Sequence, residues 1–251
     1  RLPPYRDAMQ LHPHRNFRNW VAKYLKWLMF SRGSLSLCYG RGMQLVSESF
    51  EDGGFIPSEF ALGKTSADGK IDMADNKSPH LAWSDLPEGT RSIAVLCIDR
   101  DAPTKPDDVN QEGRMVPSSL PRADFSHWVL VDVAPDATLE MGAFSDGVTA
   151  KGKDGPDAPL GARQGINDYT GWFAGDADMA GDYYGYDGPC PPFNDSIVHH
   201  YDFTAYALDV DRVDVDGKFT AADVLQAIEG HVLAKASIRG KYKINQAAIE
   251  L

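Results

Sequence analysis

"RSIAVLCIDRDAP", Arg91–Pro103, is the stretch on which the reading of this chain turns. The run 91–99 is almost continuously apolar and of strand length, the pattern of a strand covered on both faces. It ends in two carboxylates one residue apart, Asp99 and Asp101, followed by Ala102 and Pro103. Aspartates often open turns and Ala-Pro continues one, so the pair is either turn chemistry or part of a site.

Two further runs of the same character are "SHWVLVDVA" (126–134) and "HYDFTAYALDV" (200–210). Turn-rich loops separate them at 101–124, 135–165 and 170–196. Shorter β signals precede the first run: "MQLVSESF" alternates, "FIPSEFA" is interrupted by Pro57, and "SPHLAWSDLP" carries Trp83 beside a turn. A helix is predicted over 220–234, "TAADVLQAIEGHVLA". Thr220 would be its N-cap, Asp223 would close a capping box, and Val224, Leu225, Ile228 and Val232 would form its apolar stripe. "ASIRGKYKI" then reads as a closing strand. The sum is a β-rich single domain of two packed sheets.

Residues 12–30 read as another helix. Phe17, Trp20, Val21, Tyr24 and Leu28 recur at helical spacing, with Arg18, Lys23 and Lys26 elsewhere on the wheel. This basic amphipathic extension, residues 1–42, would dock on the rest of the chain or on a second subunit, or else lie on a membrane surface as a peripheral contact. Residues 1–43 hold eight Lys/Arg and one acid, leaving 17 Lys/Arg against 35 Asp/Glu elsewhere in a chain of net charge −11. So acidic a domain excludes nucleic acid as a partner drawn by the general field. Any anion it holds needs a local site.

Cys38, Cys97 and Cys190 make no disulfide framework, so the cytoplasm is expected, with the periplasm as the alternative. The apolar cluster "VAKYLKWLMF" is too short and too charged to span a membrane. The chain does not begin with Met, which leaves a processed N-terminus open.

Three places could carry chemistry. Asp99 and Asp101 are the first. His127, at the entry of the second run, is the next, although a lone histidine there is commonly structural. The third is "GPCPPFNDSIVHHYDF" (188–203), in which Pro189, Pro191 and Pro192 stiffen the loop and leave the Cys190 N–H in a fixed direction. In an extended chain His199 and Tyr201 share a face and His200 points away. A histidine, a phenol and an oriented N–H together suit a phosphate or carboxylate. A metal site of Asp99, Asp101, His127 and His199 lacks HxxxH or CxxC spacing. A hydrolase lacks a G-x-S-x-G elbow, a Cys190 nucleophile has only sequence proximity to a histidine, and neither a Walker loop nor G-x-G-x-x-G is present.

Taken together, these motifs resemble one family, the phosphatidylethanolamine-binding proteins, also called the Raf kinase inhibitor protein family, in its bacterial branch. Asp99-Arg100-Asp101-Ala102-Pro103 is similar to the family's Asp-Pro-Asp-Ala-Pro, with Arg100 in place of proline. His127-Trp128-Val129 matches its strand motif. Gly185-Tyr186-Asp187-Gly188-Pro189-Cys190-Pro191-Pro192 through His199-His200-Tyr201 matches its loop. "SPHLAW" (78–83) and "GHVLAKASIRGKY" (230–242) also look like bacterial members.

The resemblance implies a mostly β fold, a β-sandwich with a few flanking helices, over residues 43–251. It also implies a pocket for a small anion, phosphate or a phospholipid head group; the protein is expected to be a non-enzymatic binder with neither cofactor nor metal. Asp99, His127, His199 and Tyr201 would line the pocket, with Pro103, Pro191 and Pro192 as wall and Asp101 and Cys190 beside them. His199 and Tyr201 would donate to the anion with the Cys190 N–H helping, His127 would be a second donor, and Asp99 would orient a histidine or accept from a protonated phosphate or an ammonium. Eukaryotic members inhibit kinases or proteases, which makes a protein partner the second reading and a hydrolase the third. A homodimer stays open. Residues 1–42 have no family counterpart. The stretch 170–184 is longer than usual and reads as a lid or rim, or as a dimer contact, through Trp172, Phe173, Tyr183 and Tyr184.

Overall fold

The run that opens at Ser92 becomes strand β5 (Ser92–Pro103), the central strand of the fold in a computed structural model that describes residues 42–251. The 12–30 helix and the rest of the basic extension through residue 41 lie outside the described residues. On one side β5 pairs with β6 (Arg122–Val133), on the other with β8 (His199–Leu208). The short β7 (Arg163–Gln164) and β9 (Val232–Tyr242) complete an antiparallel sheet of order β7-β6-β5-β8-β9.

An antiparallel strand usually alternates apolar and polar, but β5 does not, because both faces of the sheet are covered. Ile93, Val95 and Cys97 pack with Trp128, Leu130, Phe203 and Leu45 on the inner face. Ala94, Leu96 and Ile98 pack with Val129, Val131 and Leu208 on the outer face, under Val224 and Ile228. Each such aliphatic side chain contributes roughly 1.5–3 kcal/mol on burial.

The second layer is slighter than a full sheet. It consists of two antiparallel ribbons, β1 (Gln44–Val46) with β4 (Ala82–Ser84) and β2 (Gly63–Thr65) with β3 (Ile71–Met73), joined by irregular chain. Each strand is only three residues long. Between β1 and β2 the chain turns through Gly53 and a 3-10 turn at Ser58–Phe60 that follows Pro57, so "FIPSEFA" cannot extend into a ladder.

Two short helices accompany the sheet. The first, α1, spans Tyr169–Trp172 inside the stretch read as loop. The second, α2 (Ala221–Ala227), starts as the sequence predicts, with the Thr220 hydroxyl and the Asp223 carboxylate closing the capping box. It stops seven residues early, however, and the prediction of helix to 234 is corrected here. Gly230 takes a φ of +83°, a conformation that ends helices, and Val232 and Leu233 begin β9 instead. The apolar residues at 228 and 232 match a helical stripe, yet β9 must run there to pair its full length with β8. Among the described residues no helix is long and apolar enough to cross a membrane.

Candidate functional site

Two irregularities in the β5–β6 pairing lie at the end of the sheet that carries a cavity. The β5–β6 register slips between Asp99 and Ala102, so the strand pair loses its regular ladder where the two aspartates sit. It slips again beside His127: Cys97 pairs with Trp128 and Ile98 with Ser126, leaving His127 unopposed on β5. That extra residue is a β-bulge, and it turns the imidazole to the same side as Trp128, the inner face. On β8 the ladder stays regular, so His199 and Tyr201 share the inner face with Phe203 as period-two geometry requires.

The cavity measures about 360 Å³. Its floor holds Asp99, His127, His199 and Tyr201, and its wall holds Pro103, Cys190, Pro191 and Pro192. Asp101, expected with them, does not line it. The Asp101 carboxylate accepts from the His200 N–H and meets His200 Nδ1, both at 2.8 Å, away from the cavity. Arg100 is directed away too and pairs with Asp202 (3.1 Å) and Asp124 (2.5 Å) rather than with Asp101. Among the described residues no group of three or more His, Cys, Asp or Glu side chains is placed to hold a metal ion.

His199 sits in a buried chain of alternating charge. Its Nδ1 lies 2.7 Å from Asp99 Oδ2 and its Nε2 lies 3.1 Å from Asp195 Oδ2. Asp195 in turn accepts from both terminal nitrogens of Arg122, at 2.6 and 2.9 Å. Burial pushes the His199 pKa down, but the Asp99 charge and the two carboxylate hydrogen bonds outweigh it and hold the pKa at about 9. The imidazolium therefore donates from both nitrogens to carboxylates. Where the resemblance implies a His199 that donates to the anion, its two hydrogen bonds go to Asp99 and Asp195 and make it the post that fixes Asp99. Burial likewise pushes Asp195 up, and the hydrogen bonds from His199 and Arg122 outweigh that and hold it below the usual carboxylate range.

His127 is set up in the opposite way. Its Nδ1 lies 2.8 Å from the Asp187 carbonyl, which can only accept, so Nδ1 carries the proton and Nε2 presents a lone pair. Burial pushes the His127 pKa below its ordinary value, against the pull of Asp99, so the ring is neutral at pH 7. The rings of Tyr201, Phe125 and Tyr169 stand around it at 5.1, 5.1 and 5.4 Å. The Tyr201 hydroxyl is fully buried and, among the described residues, has no hydrogen-bond partner. The Cys190 N–H is no donor in the backbone–backbone hydrogen bonds that tie this loop among the described residues. Burial pushes the Cys190 thiol up to about 12, so it stays protonated and poorly nucleophilic at pH 7.

The loop before β8 is stiff because it is tied down as well as proline-rich. The Pro189 carbonyl accepts from the N–H groups of Leu62 and Gly63 at 3.0 and 3.2 Å, and the Gly188 N–H donates to Asn76 Oδ1 at 2.8 Å. A Cβ on Gly188 would overlap the Phe60 carbonyl oxygen, so only glycine lets the loop approach this closely. Of the stretch 170–184, Trp172 and Phe173 reach the cavity as a rim, while Tyr183 and Tyr184 are buried and do not line it.

Arg122, Asp187 and Asp195 escaped the sequence reading. Asp195 stands four residues before His199, a spacing that carries no signal unless the loop conformation is known. Asp187 stands in the Gly185–Pro192 motif, but nothing in the motif shows that its carbonyl meets His127.

A mostly β domain with this end-of-sheet cavity belongs to a known class. The profile of the phosphatidylethanolamine-binding protein family matches residues 46–243, and the chain is a member of that family. It is 32% identical over 200 residues to the UPF0098 protein YbhB of Escherichia coli, covering 80% of this chain and 99% of that one. With a UPF0098 protein of Methanothermobacter thermautotrophicus it shares 34% identity over 201 residues, at the same coverage. The crystal structure of Escherichia coli YbcL, described as a new member of the mammalian PEBP family, superposes with a TM-score of 0.55 at 26% identity, covering 80% of this chain and 98% of that one.

Proposed function

We propose that the protein is a non-enzymatic receptor whose cavity holds a small anionic group, phosphate or a phosphorylated head group. The observation that carries this reading is the Tyr201 hydroxyl, fully buried at the cavity floor and unpaired. A buried polar group without a partner costs about 1–3 kcal/mol, a cost that a ligand oxygen would remove. The Cys190 N–H supplies a second donor. His127 Nε2 accepts from a protonated oxyanion or, once protonated itself, donates to a dianion. His199, locked between two carboxylates, has no nitrogen left to act as a general base, and the Cys190 thiol is held protonated. Both points favour binding over catalysis.

Titration calorimetry with inorganic phosphate and with phosphoethanolamine tests the reading. Wild type should bind, and Tyr201→Phe and His127→Ala should each bind at least about tenfold more weakly. Equal affinity in wild type and both variants would remove the assignment.

A further inference from the structure

The polar floor accounts for only part of the cavity. A water's share of liquid volume is about 30 Å³, so the space corresponds to on the order of ten waters, more than a bare oxyanion fills. Above the floor the walls are apolar. Ile71 and Met73 of β3 stand there with Phe125 of β6 and, from the α1 segment, Tyr169, Trp172 and Phe173.

That segment is built to hold its shape. Tyr169 donates its hydroxyl to the Gly188 carbonyl at 3.0 Å, and its ring stacks on Phe173 at 5.4 Å and 17°. Phe173 in turn packs against Tyr183 at 5.4 Å, and the Tyr183 N–H donates to Thr170 Oγ1 at 2.9 Å. Leu62, Tyr169 and Tyr183 form a small core of their own, separate from the two faces of the main sheet. One side of α1 is therefore anchored on this core and the other faces the cavity. Trp172, at its end, remains 49% exposed. An indole held at a cavity mouth with half its surface in water is an unfilled apolar contact.

From this geometry we infer that α1 and the residue after it form a specificity collar: Trp172 and Phe173 select anions that carry an aromatic group directly on the oxyanion, above the polar floor. The inference rests on the anion reading of the same cavity. A flat substituent leaving the floor meets Phe125 and Tyr169, whose own rings already meet edge to face at 5.1 Å and 74°, and emerges against Trp172 and Phe173. Aromatic pairing adds to simple area burial, and aliphatic substituents lack that part.

The experiment is calorimetry on the full chain with three probes: inorganic phosphate, phenyl phosphate and cyclohexyl phosphate. Phenyl phosphate is expected to bind about tenfold tighter than inorganic phosphate, with cyclohexyl phosphate between them. Trp172→Ala and Phe173→Ala should each shrink the phenyl advantage, read within each variant as the ratio of phenyl phosphate to inorganic phosphate affinity. Phosphate binding without a phenyl advantage overturns the collar and leaves the anion reading standing, as does an advantage that survives both substitutions. Failure of all three probes to bind wild type overturns both.

Discussion

Asp187 grips His127 with both of its backbone polar groups: its N–H donates to the His127 carbonyl at 3.0 Å and its carbonyl accepts from His127 Nδ1 at 2.8 Å. The Asp187 side chain is pinned separately. It accepts from Asn76 Nδ2 and Asn167 Nδ2, both at 2.8 Å, and pairs with Lys153 Nζ at 2.9 Å. Main chain and side chain thus divide two jobs: one sets the His127 tautomer, the other holds the residue that sets it.

Lys153→Met should therefore be destabilising out of proportion to its position at the edge of the core. Removing one partner of a buried pair costs about 3–5 kcal/mol, because the remaining charge is left uncompensated. Urea unfolding measures this, and a loss below about 1 kcal/mol would contradict the role given to Lys153.

Tyr201→Phe should move stability and binding in opposite directions. Deleting an unpaired buried hydroxyl relieves up to about 1–3 kcal/mol, so the variant unfolds at equal or higher urea. The same deletion removes a donor to the anion. A parallel loss of stability and affinity would mean that the hydroxyl has a structural partner.

His199 makes stability fall on the alkaline side. Its folded pKa of about 9 lies above the ordinary value of about 6.5, so the fold holds the charged form. That contribution, about 3 kcal/mol, is complete below about pH 6.5 and is lost as pH rises through 9. Asp195 acts with the opposite sign: held low, it stabilises at neutral pH and ceases to as pH falls through its folded value. The urea midpoint should decline between about pH 6.5 and 9.5 in wild type and decline less in His199→Gln. A flat wild-type profile would refute the charged state assigned to His199.

His127 should couple anion binding to proton uptake. Burial holds its pKa low when the cavity is empty, with Asp99, Asp168 and Asp187 pulling weakly the other way. An anion against Nε2 raises it. Sulfate, which keeps its charge between about pH 5 and 8, isolates the histidine. Its affinity should rise as pH falls, and the heat of binding should depend on the buffer's ionisation enthalpy. Neither effect should survive in His127→Ala.

Gly188→Ala tests whether the loop must be this close. Its new methyl group would press on the Phe60 carbonyl and on Ala61, backbone that cannot rotate aside. A cost of about 1–3 kcal/mol is expected, together with weaker phosphate binding as the Cys190 N–H moves. Unchanged affinity would separate the loop from the site.

Strands that obey one period throughout were legible in the sequence. The central run at 92–99 and the split between His199 and His200 follow from alternation and burial alone. What alternation could not give is His127, whose face depends on a slip in pairing with a strand thirty residues away. Nor could it find Arg122 and Asp195, which meet only because the loop before β8 folds back over the start of β6. At 228–233 the local pattern suits a helix, and the pairing demanded by β8 overrides it.

The bulge at His127 has one more consequence. Taking that single residue out would let Ser126 and Trp128 follow one another in step with Ile98 and Cys97, closing the slip in the middle of the β5–β6 ladder. The inward turn of the His127 imidazole is thus written into the sheet as one surplus letter. Excising it would mend the scaffold's spelling at that point and take from the cavity the one neutral imidazole in its floor.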